Sequence, residues 1–178
     1  TRLGNNPSSR NRLLYFKEKL VNKNRFSPSK TLEMMTQYEN ALEENIRKQW
    51  NELNRNTLFD HLNSKFKLLI LTNENTRTQL IKLRAIDPHS RFFNHIITSE
   101  EIGVEKPNIK IFEAAITYFN LPPHKILIVG DSLIDDIEPG NKMGFQTVWT
   151  TEFLQNTNED SNIPQICKLD EIVKWVTK

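Results

Sequence analysis

The 178-residue chain has a single cysteine, Cys167, and a formal net charge of only +2. One thiol excludes an intramolecular disulfide and a metal site made of several cysteines. Because the charge is small and the basic residues are dispersed, neither nucleic acid nor a membrane surface is an expected partner. No apolar run approaches the length of about 18 residues that crosses a bilayer, and the sequence begins without a signal-peptide pattern. We therefore expect a soluble, cytoplasmic protein, whose oligomeric state the sequence does not indicate.

The hydrophobic pattern changes character along the chain. Helical periodicity dominates up to about residue 65, with helices predicted over 11–24 and 28–54. Beyond that point, short apolar runs alternate with helical segments, which indicates a parallel sheet with right-handed crossovers. The predicted strands are 67–72, 95–98, 126–129, 146–149 and 166–169, and the predicted helices are 75–84, 107–119 opened by Pro107, and a last one through Val176 capped by Asp170. The fold class is therefore α/β, a three-layer domain over 57–178 with a separate helical element over 1–56.

Three aspartates follow one of these strands within six residues. The run Ile126–Val129 ends at Gly130, and Asp131, Asp135 and Asp136 come directly after it. Ligands of open α/β sheets bind beyond the carboxyl ends of the strands. Two carboxylates about 4 Å apart repel each other by about 4 kcal/mol at an effective dielectric constant of about 20, and Mg²⁺ removes that repulsion. The alternative is that Asp131 caps a turn while Asp135 and Asp136 form the solvated acidic start of a helix.

Polar residues at two further loops are candidate anion contacts. Thr72 and Asn73 end the first predicted strand, and the helix at 75–84 follows so closely that its free N–H groups would face an anion beside the Thr72 hydroxyl. The alternative is that Thr72 is simply a good strand residue. Lys106 precedes Pro107, the predicted start of a helix, where a cation opposes the helix dipole. An anionic ligand with nearby carboxylates explains such a lysine, and a solvated loop lysine is the alternative.

Taken in order, these segments resemble the motifs of the haloacid dehalogenase superfamily, which consists mostly of Mg²⁺-dependent phosphatases on a Rossmann-like fold. Leu71–Asn73 is similar to the second motif of the family, whose threonine or serine binds the phosphoryl group. Thr98–Pro107 resembles the third motif, whose lysine, here Lys106, holds phosphate and balances the negative charge of the site. The resemblance therefore implies that Thr72, Asn73 and Lys106 bind substrate.

The resemblance extends to the acidic loop and to the N-terminal helices. Gly130–Ile137 is similar to the fourth motif, which implies Asp131 and Asp136 as Mg²⁺ ligands, with Asp135 as a neighbour or substitute. The helices before residue 57 resemble part of the helical cap of the phosphoglycolate phosphatase and nucleotidase branch. The core over 57–178 would then be a Rossmann-like sheet beneath a partial cap over 1–56.

The nucleophile of the family has no counterpart in this sequence. In the family it is the first aspartate of an Asp-x-Asp motif, which forms an aspartyl-phosphate while the second aspartate acts as general acid and base. The first aspartate of the chain is Asp60, which follows no apolar strand and has no second acid two residues later. The strand that carries the motif is central in the family's sheet. Its absence implies a gap of about two strand spacings, about 10 Å, between the strands that end at Thr72 and Asp131.

Three explanations fit this departure. The first, which we favour, is that an Asp-x-Asp segment precedes Thr1, which would then be the threonine that follows the motif in the family. The second is a pseudoenzyme that keeps phosphate or metal binding, and the third is an interaction module that shares only the fold. The expected function is thus a Mg²⁺-dependent phosphatase of a small phosphorylated metabolite, incomplete in this chain, with dehalogenation as the runner-up chemistry. Whether the chain itself is an enzyme stays open.

Overall fold

The computed structural model of the chain describes residues 10–154 and 163–176. Thr1, which the resemblance places behind an Asp-x-Asp motif, lies outside the described residues. The chain forms two compact units, which divide between Gly103 and Val104. The first contains a two-stranded sheet and the second a three-stranded sheet, and every strand pair among the described residues is parallel. The α/β class is confirmed, while the division into a cap over 1–56 and a core over 57–178 stays a prediction.

The first unit consists of helices around one pair of strands. Its strands lie in register from Leu69 opposite His95 to Thr72 opposite Thr98. The predicted helices and strands are all present, and two short helices, α3 and α5, were not predicted. Asp60 lies within α3, which confirms that no strand carries it. The elements are α1 (Arg12–Val21), α2 (Pro28–Glu52), α3 (Arg55–Asn63), β1 (Leu69–Thr72), α4 (Thr76–Ile86), β2 (His95–Thr98) and α5 (Ser99–Ile102).

Short polar side chains begin the longer helices of the chain. The Asn11 side chain accepts a hydrogen bond from the Leu13 N–H at 3.0 Å, and the Asn75 side chain accepts one from the Thr78 N–H at 2.8 Å. Ser27 caps α2 in the same way, immediately before Pro28. Each cap supplies an acceptor to one of the N–H groups that have no partner within the helix, a contribution of about 1 kcal/mol.

Ion pairs and aromatic rings hold the first unit together. The Arg77 guanidinium of α4 donates to both carboxylate oxygens of Glu39 on α2, at 2.5 and 2.9 Å, and this hydrogen bonding raises the pKa of Arg77. Further along α4, Arg84 pairs with Glu43 of α2, and that hydrogen bond lowers the pKa of Glu43. Below these pairs the rings of four aromatic residues lie in contact: Trp50, Phe59, Phe92 and Phe93.

The second unit contains three parallel strands in the order β3-β4-β5. Its core is formed by side chains that are at most 1% exposed, namely Ile111, Phe112, Ile137, Val148 and Ile166. None of the helices in the described part of the chain is long and apolar enough to cross a membrane. The elements are α6 (Ile109–Phe119), a 3₁₀ turn (Pro123–Lys125), β3 (Leu127–Gly130), a π-helical segment (Leu133–Ile137), α7 (Glu138–Lys142), β4 (Gln146–Thr150), β5 (Gln165–Ile166), a second 3₁₀ turn (Leu169–Glu171) and α8 (Ile172–Val176).

Two predicted helix starts in this unit are wrong. Pro107 does not open α6, because the Asn108 side chain accepts a hydrogen bond from the Lys110 N–H and places the first helical residue at Ile109. Asp170 does not cap the last helix either, since it lies inside a 3₁₀ turn whose preceding residue makes no side-chain cap. The first helix therefore begins two residues after Pro107, and a 3₁₀ turn precedes the last helix.

Candidate functional site

Hydrogen bonds between its own residues shape the loop after β3. The Ser132 hydroxyl accepts a hydrogen bond from the Asp135 N–H at 3.1 Å. The Ser132 N–H in turn donates to Asp136 Oδ2 at 3.2 Å. Such paired bonds are typical of a helix start, where side-chain oxygens satisfy backbone N–H groups. Here they also fix the direction of the Asp136 carboxylate.

Gly130, the last residue of β3, lies against the Asp136 side chain. A Cβ atom on Gly130 would stand 2.5 Å from both Cγ and Oδ2 of Asp136. Real Cβ contacts are never so short, and therefore only glycine leaves room for Asp136 at this strand end. The glycine that marks the end of the apolar run is thus part of the construction of the site.

Lys106 and Asp136 form a buried ion pair. Lys106 Nζ donates to Asp136 Oδ1 at 2.5 Å, and the two side chains are 13% and 8% exposed. Asp136 therefore accepts a hydrogen bond from a charged ammonium group on one oxygen and from a backbone N–H on the other. The alternative of a solvated acidic helix start is wrong for Asp136, and Ser132 rather than Asp131 caps the following segment. The solvated loop lysine is likewise wrong for Lys106.

The Asp131 side chain is exposed, whereas its backbone is held. Its carbonyl oxygen accepts a hydrogen bond from the indole Nε1–H of Trp149 at 3.0 Å. Asp135 is half-buried and lies between Asp131 and Asp136 in the loop. The segment after β3 therefore contains one exposed acidic residue, Asp131, and one buried, lysine-paired carboxylate, Asp136.

The chemistry of these donors fits Mg²⁺ bound with water. Mg²⁺ prefers oxygen ligands, and proteins usually hold it with one or two carboxylates while water and substrate phosphate complete the shell. Asp131 and Asp136 supply two such carboxylates on one short loop. In the residues the structure describes, no three His, Cys, Asp or Glu side chains come together to hold a metal. Two carboxylates thus fit a Mg²⁺ ion whose other ligands would be water and phosphate.

The other candidate residues belong to the first unit. The Thr72 hydroxyl accepts a hydrogen bond from the Glu74 N–H at 3.1 Å, so its own proton is available to an acceptor. Asn73 follows Thr72 and is half-buried. Two of the N–H groups at the start of α4, which were predicted to face an anion here, have partners within the protein instead. Asn75 accepts from the Thr78 N–H, and the Glu100 carboxylate accepts from the Thr76 N–H at 2.9 Å.

The structure brings some of the predicted residues together within one unit. Lys106 contacts Asp136 directly in the second unit, and in the first unit Thr72 ends β1 and Asn73 follows it. Sequence reasoning missed the structural roles of Ser132 and Trp149. A serine three residues before an acid could have revealed Ser132, whereas no local pattern points from Trp149 to a loop 18 residues earlier.

Comparison with known proteins finds relatives of one kind. The sequence profile of the haloacid dehalogenase-like hydrolases matches residues 5–150. The glyceraldehyde 3-phosphate phosphatase of Methanothermobacter thermautotrophicus is 32% identical over 104 residues, which are 58% of this chain and 46% of that protein. The pyrimidine 5′-nucleotidase YjjG of Escherichia coli is 33% identical over 94 residues, 52% of this chain and 41% of that protein. The chain spans less than half the length of these two relatives.

A solved structure shows the same fold. YfnB of Bacillus subtilis, whose crystal structure has magnesium bound, superposes with a TM-score of 0.63 at 22% identity, covering 96% of this chain and 82% of that one. At this identity the likeness concerns the fold alone, and it confirms the Rossmann-like α/β architecture.

Proposed function

The chain belongs to the haloacid dehalogenase-like hydrolase family, and from this premise we propose that it is part of a Mg²⁺-dependent phosphatase of small phosphorylated metabolites. The observation that carries the proposal is the buried Lys106–Asp136 pair, together with the exposed Asp131 on the same segment after β3. One lysine and two aspartates lie on adjoining loops at the end of a parallel strand. Their charges can balance those of a bound metal ion and a phosphate group. The family's phosphate chemistry requires such a balance.

Each side chain has a definite task in this proposal. Asp131 and Asp136 hold the metal, with Asp135 as a weaker candidate, and bound Mg²⁺ would supply positive charge to a phosphoryl oxygen. Lys106 orients Asp136 and adds a fixed positive charge, which is most effective where water is largely excluded. The Thr72 hydroxyl, which accepts a hydrogen bond from the Glu74 N–H, would donate a hydrogen bond to a phosphate oxygen, and Asn73 would contact the substrate, as the family resemblance implies.

The proposal does not make the 178-residue chain a complete enzyme. Orientation and charge stabilisation lower a barrier, but they do not replace the nucleophile that divides phosphoryl transfer into two steps. Since the sequence contains no Asp-x-Asp, we expect turnover only in a form that has this motif ahead of Thr1.

The names of the relatives support a choice of substrates. One is a glyceraldehyde 3-phosphate phosphatase and another a pyrimidine 5′-nucleotidase. Both act on small phosphate monoesters, which supports a monoester substrate and gives no reason to expect a nucleic acid or a membrane partner. A sugar phosphate and a nucleoside monophosphate are therefore the two substrate classes to test first.

The test is hydrolysis of p-nitrophenyl phosphate and a panel of metabolite phosphates, with and without Mg²⁺. The panel includes glyceraldehyde 3-phosphate and pyrimidine nucleoside monophosphates. A form extended by its Asp-x-Asp segment should hydrolyse at least one of them, and Asp131→Asn or Lys106→Ala should abolish most of the activity. Thr72→Val should mainly raise KM, because it removes one phosphate contact, and Thr72→Ser is its matched control.

An extended form that binds phosphate and Mg²⁺ but hydrolyses nothing would contradict the phosphatase proposal and favour a pseudoenzyme. A form that binds neither would favour an interaction module that shares only the fold.

A further inference from the structure

Trp149 is a buried core residue that also makes a hydrogen bond to the acidic loop after β3. It is the fourth residue of β4 and is 6% exposed. Its indole Nε1–H donates to the backbone carbonyl of Asp131 at 3.0 Å. Tryptophan has a single polar group, and in this protein that group is used to hold the first residue of the acidic loop. The ring itself packs as any buried aromatic residue would.

The sheet gives this contact a rigid base. Trp149 lies opposite Gly130 in the β3–β4 register, so the indole reaches the residue directly after the strand. On its other side, β4 pairs with β5, and the Trp149 backbone N–H donates to the Pro164 carbonyl at 2.8 Å. The indole is therefore attached to the central strand of a three-stranded sheet.

The remaining anchors of the loop lie further along it. The Ser132 N–H donates a hydrogen bond to Asp136, and Lys106 Nζ donates another to the same carboxylate. The Asp131 side chain is exposed, and the indole contact holds the Asp131 backbone directly after Gly130. Packing constrains an exposed side chain little. The position of the Asp131 carboxylate therefore depends on the position of its backbone.

We propose that Trp149 is a positioning residue of the acidic loop, which holds the Asp131 carboxylate in place for Mg²⁺ through the indole–carbonyl hydrogen bond. This inference rests on the proposed function, since it takes Asp131 to be a metal ligand. It predicts that a change in β4, outside the loop, alters the affinity for Mg²⁺. It also predicts that Mg²⁺ changes the environment of the Trp149 indole proton.

The chain contains the controls that such a test needs. It has three tryptophans, and each gives one indole N–H resonance: Trp50 donates to Asn56 in the first unit, and Trp175 is 46% exposed in α8. Trp149→Phe removes the donor and keeps an aromatic ring. Trp175→Phe is the same substitution in the same unit, without a contact to Asp131 in the structure.

The experiment is a titration of the ¹⁵N-labelled 178-residue chain with MgCl₂, followed through the indole and loop amide resonances. We expect a saturable shift of the Trp149 indole resonance, absent in Asp131→Asn, while the Trp50 and Trp175 resonances stay in place. Loss of one hydrogen bond of ordinary strength corresponds to about 2- to 12-fold in an equilibrium constant. Trp149→Phe should therefore weaken Mg²⁺ binding within that range, and Trp175→Phe should leave it unchanged.

The possible failures are distinct. If the wild-type chain binds Mg²⁺ through Asp131, and Trp149→Phe binds it equally well, the inference is wrong and the metal site stands. If no resonance shifts, or if the shifts persist in Asp131→Asn, the proposed metal site is wrong and the inference falls with it. Should Trp149→Phe fail to fold, the wild-type titration decides alone, because a Trp149 indole that does not respond while the loop amides shift contradicts the coupling.

Discussion

Replacing Lys106 with alanine tests the buried ion pair most severely. The substitution leaves the Asp136 carboxylate, 8% exposed, without its charged partner. Breaking a buried pair by removing one partner costs about 3–5 kcal/mol. For a chain of this size, a change of 1 kcal/mol corresponds to about 2–4 °C in Tm, and the expected loss is therefore about 6–20 °C.

Thermal unfolding followed by circular dichroism measures this loss, and two further variants show its cause. Lys106→Ala/Asp136→Asn should recover most of the lost stability, because the unpaired charge is gone. Lys110→Ala, an exposed lysine on α6, should change the free energy of unfolding by no more than about 0.5 kcal/mol. Added Mg²⁺ should stabilise Lys106→Ala more than the wild type, since a cation at Asp136 would replace the lost ammonium.

Two results would refute this reasoning. A Tm of Lys106→Ala within about 2 °C of the wild type, which is a loss of no more than about 1 kcal/mol, would mean that the unpaired Asp136 carboxylate does not destabilise the folded chain. A double variant as unstable as Lys106→Ala would mean that the lysine stem, and not its charge, stabilises the unit.

Three other substitutions test separate parts of the structure. Gly130→Ala places a Cβ against Asp136, so we expect Mg²⁺ binding in a calorimetric titration to be lost; binding as in the wild type would show that the loop yields freely. Asp87→Ala removes the acceptor of three backbone N–H groups in the loop before β2, and denaturant unfolding should show a loss of about 3 kcal/mol or more; a loss below about 1 kcal/mol would contradict it. Glu43, whose pKa is lowered by its hydrogen bond with Arg84, contributes stability above its ordinary pKa of 4.5 and loses it as the pH falls. Glu43→Gln should therefore be less stable than the wild type at pH 7 and approach it below pH 4.5, whereas a difference independent of pH would contradict the assignment.

The regular elements could be predicted because their patterns are local. The strand His95–Thr98 has the predicted bounds, since a short β-prone run between polar segments leaves little choice. The short helices α3 and α5 were missed for the opposite reason. Helix α3 follows α2 directly after Asn54, whose backbone is left-handed, and it has no hydrophobic stripe of its own that distinguishes it from α2. Helix α5 has only four residues.

The candidate site likewise has features that a local sequence pattern predicts and features that depend on long-range contacts. A glycine followed by aspartates is visible in the sequence, and so is a lysine before a proline. The depth of burial of the Lys106–Asp136 pair and the indole contact of Trp149 depend on strands that meet only after folding. The Glu100 carboxylate at the start of α4 is also a long-range contact, which explains why a free helix end was expected there.

The most direct test of this account is the rate at which the 178-residue chain hydrolyses p-nitrophenyl phosphate at saturating Mg²⁺, compared with Asp131→Asn. The account assigns phosphate and metal residues to the chain and finds no nucleophile in it. It therefore predicts no hydrolysis above the background rate in either protein, although the wild type binds Mg²⁺. Mg²⁺-dependent turnover by the wild-type chain that disappears in Asp131→Asn would contradict it, because a nucleophile would then lie among these 178 residues.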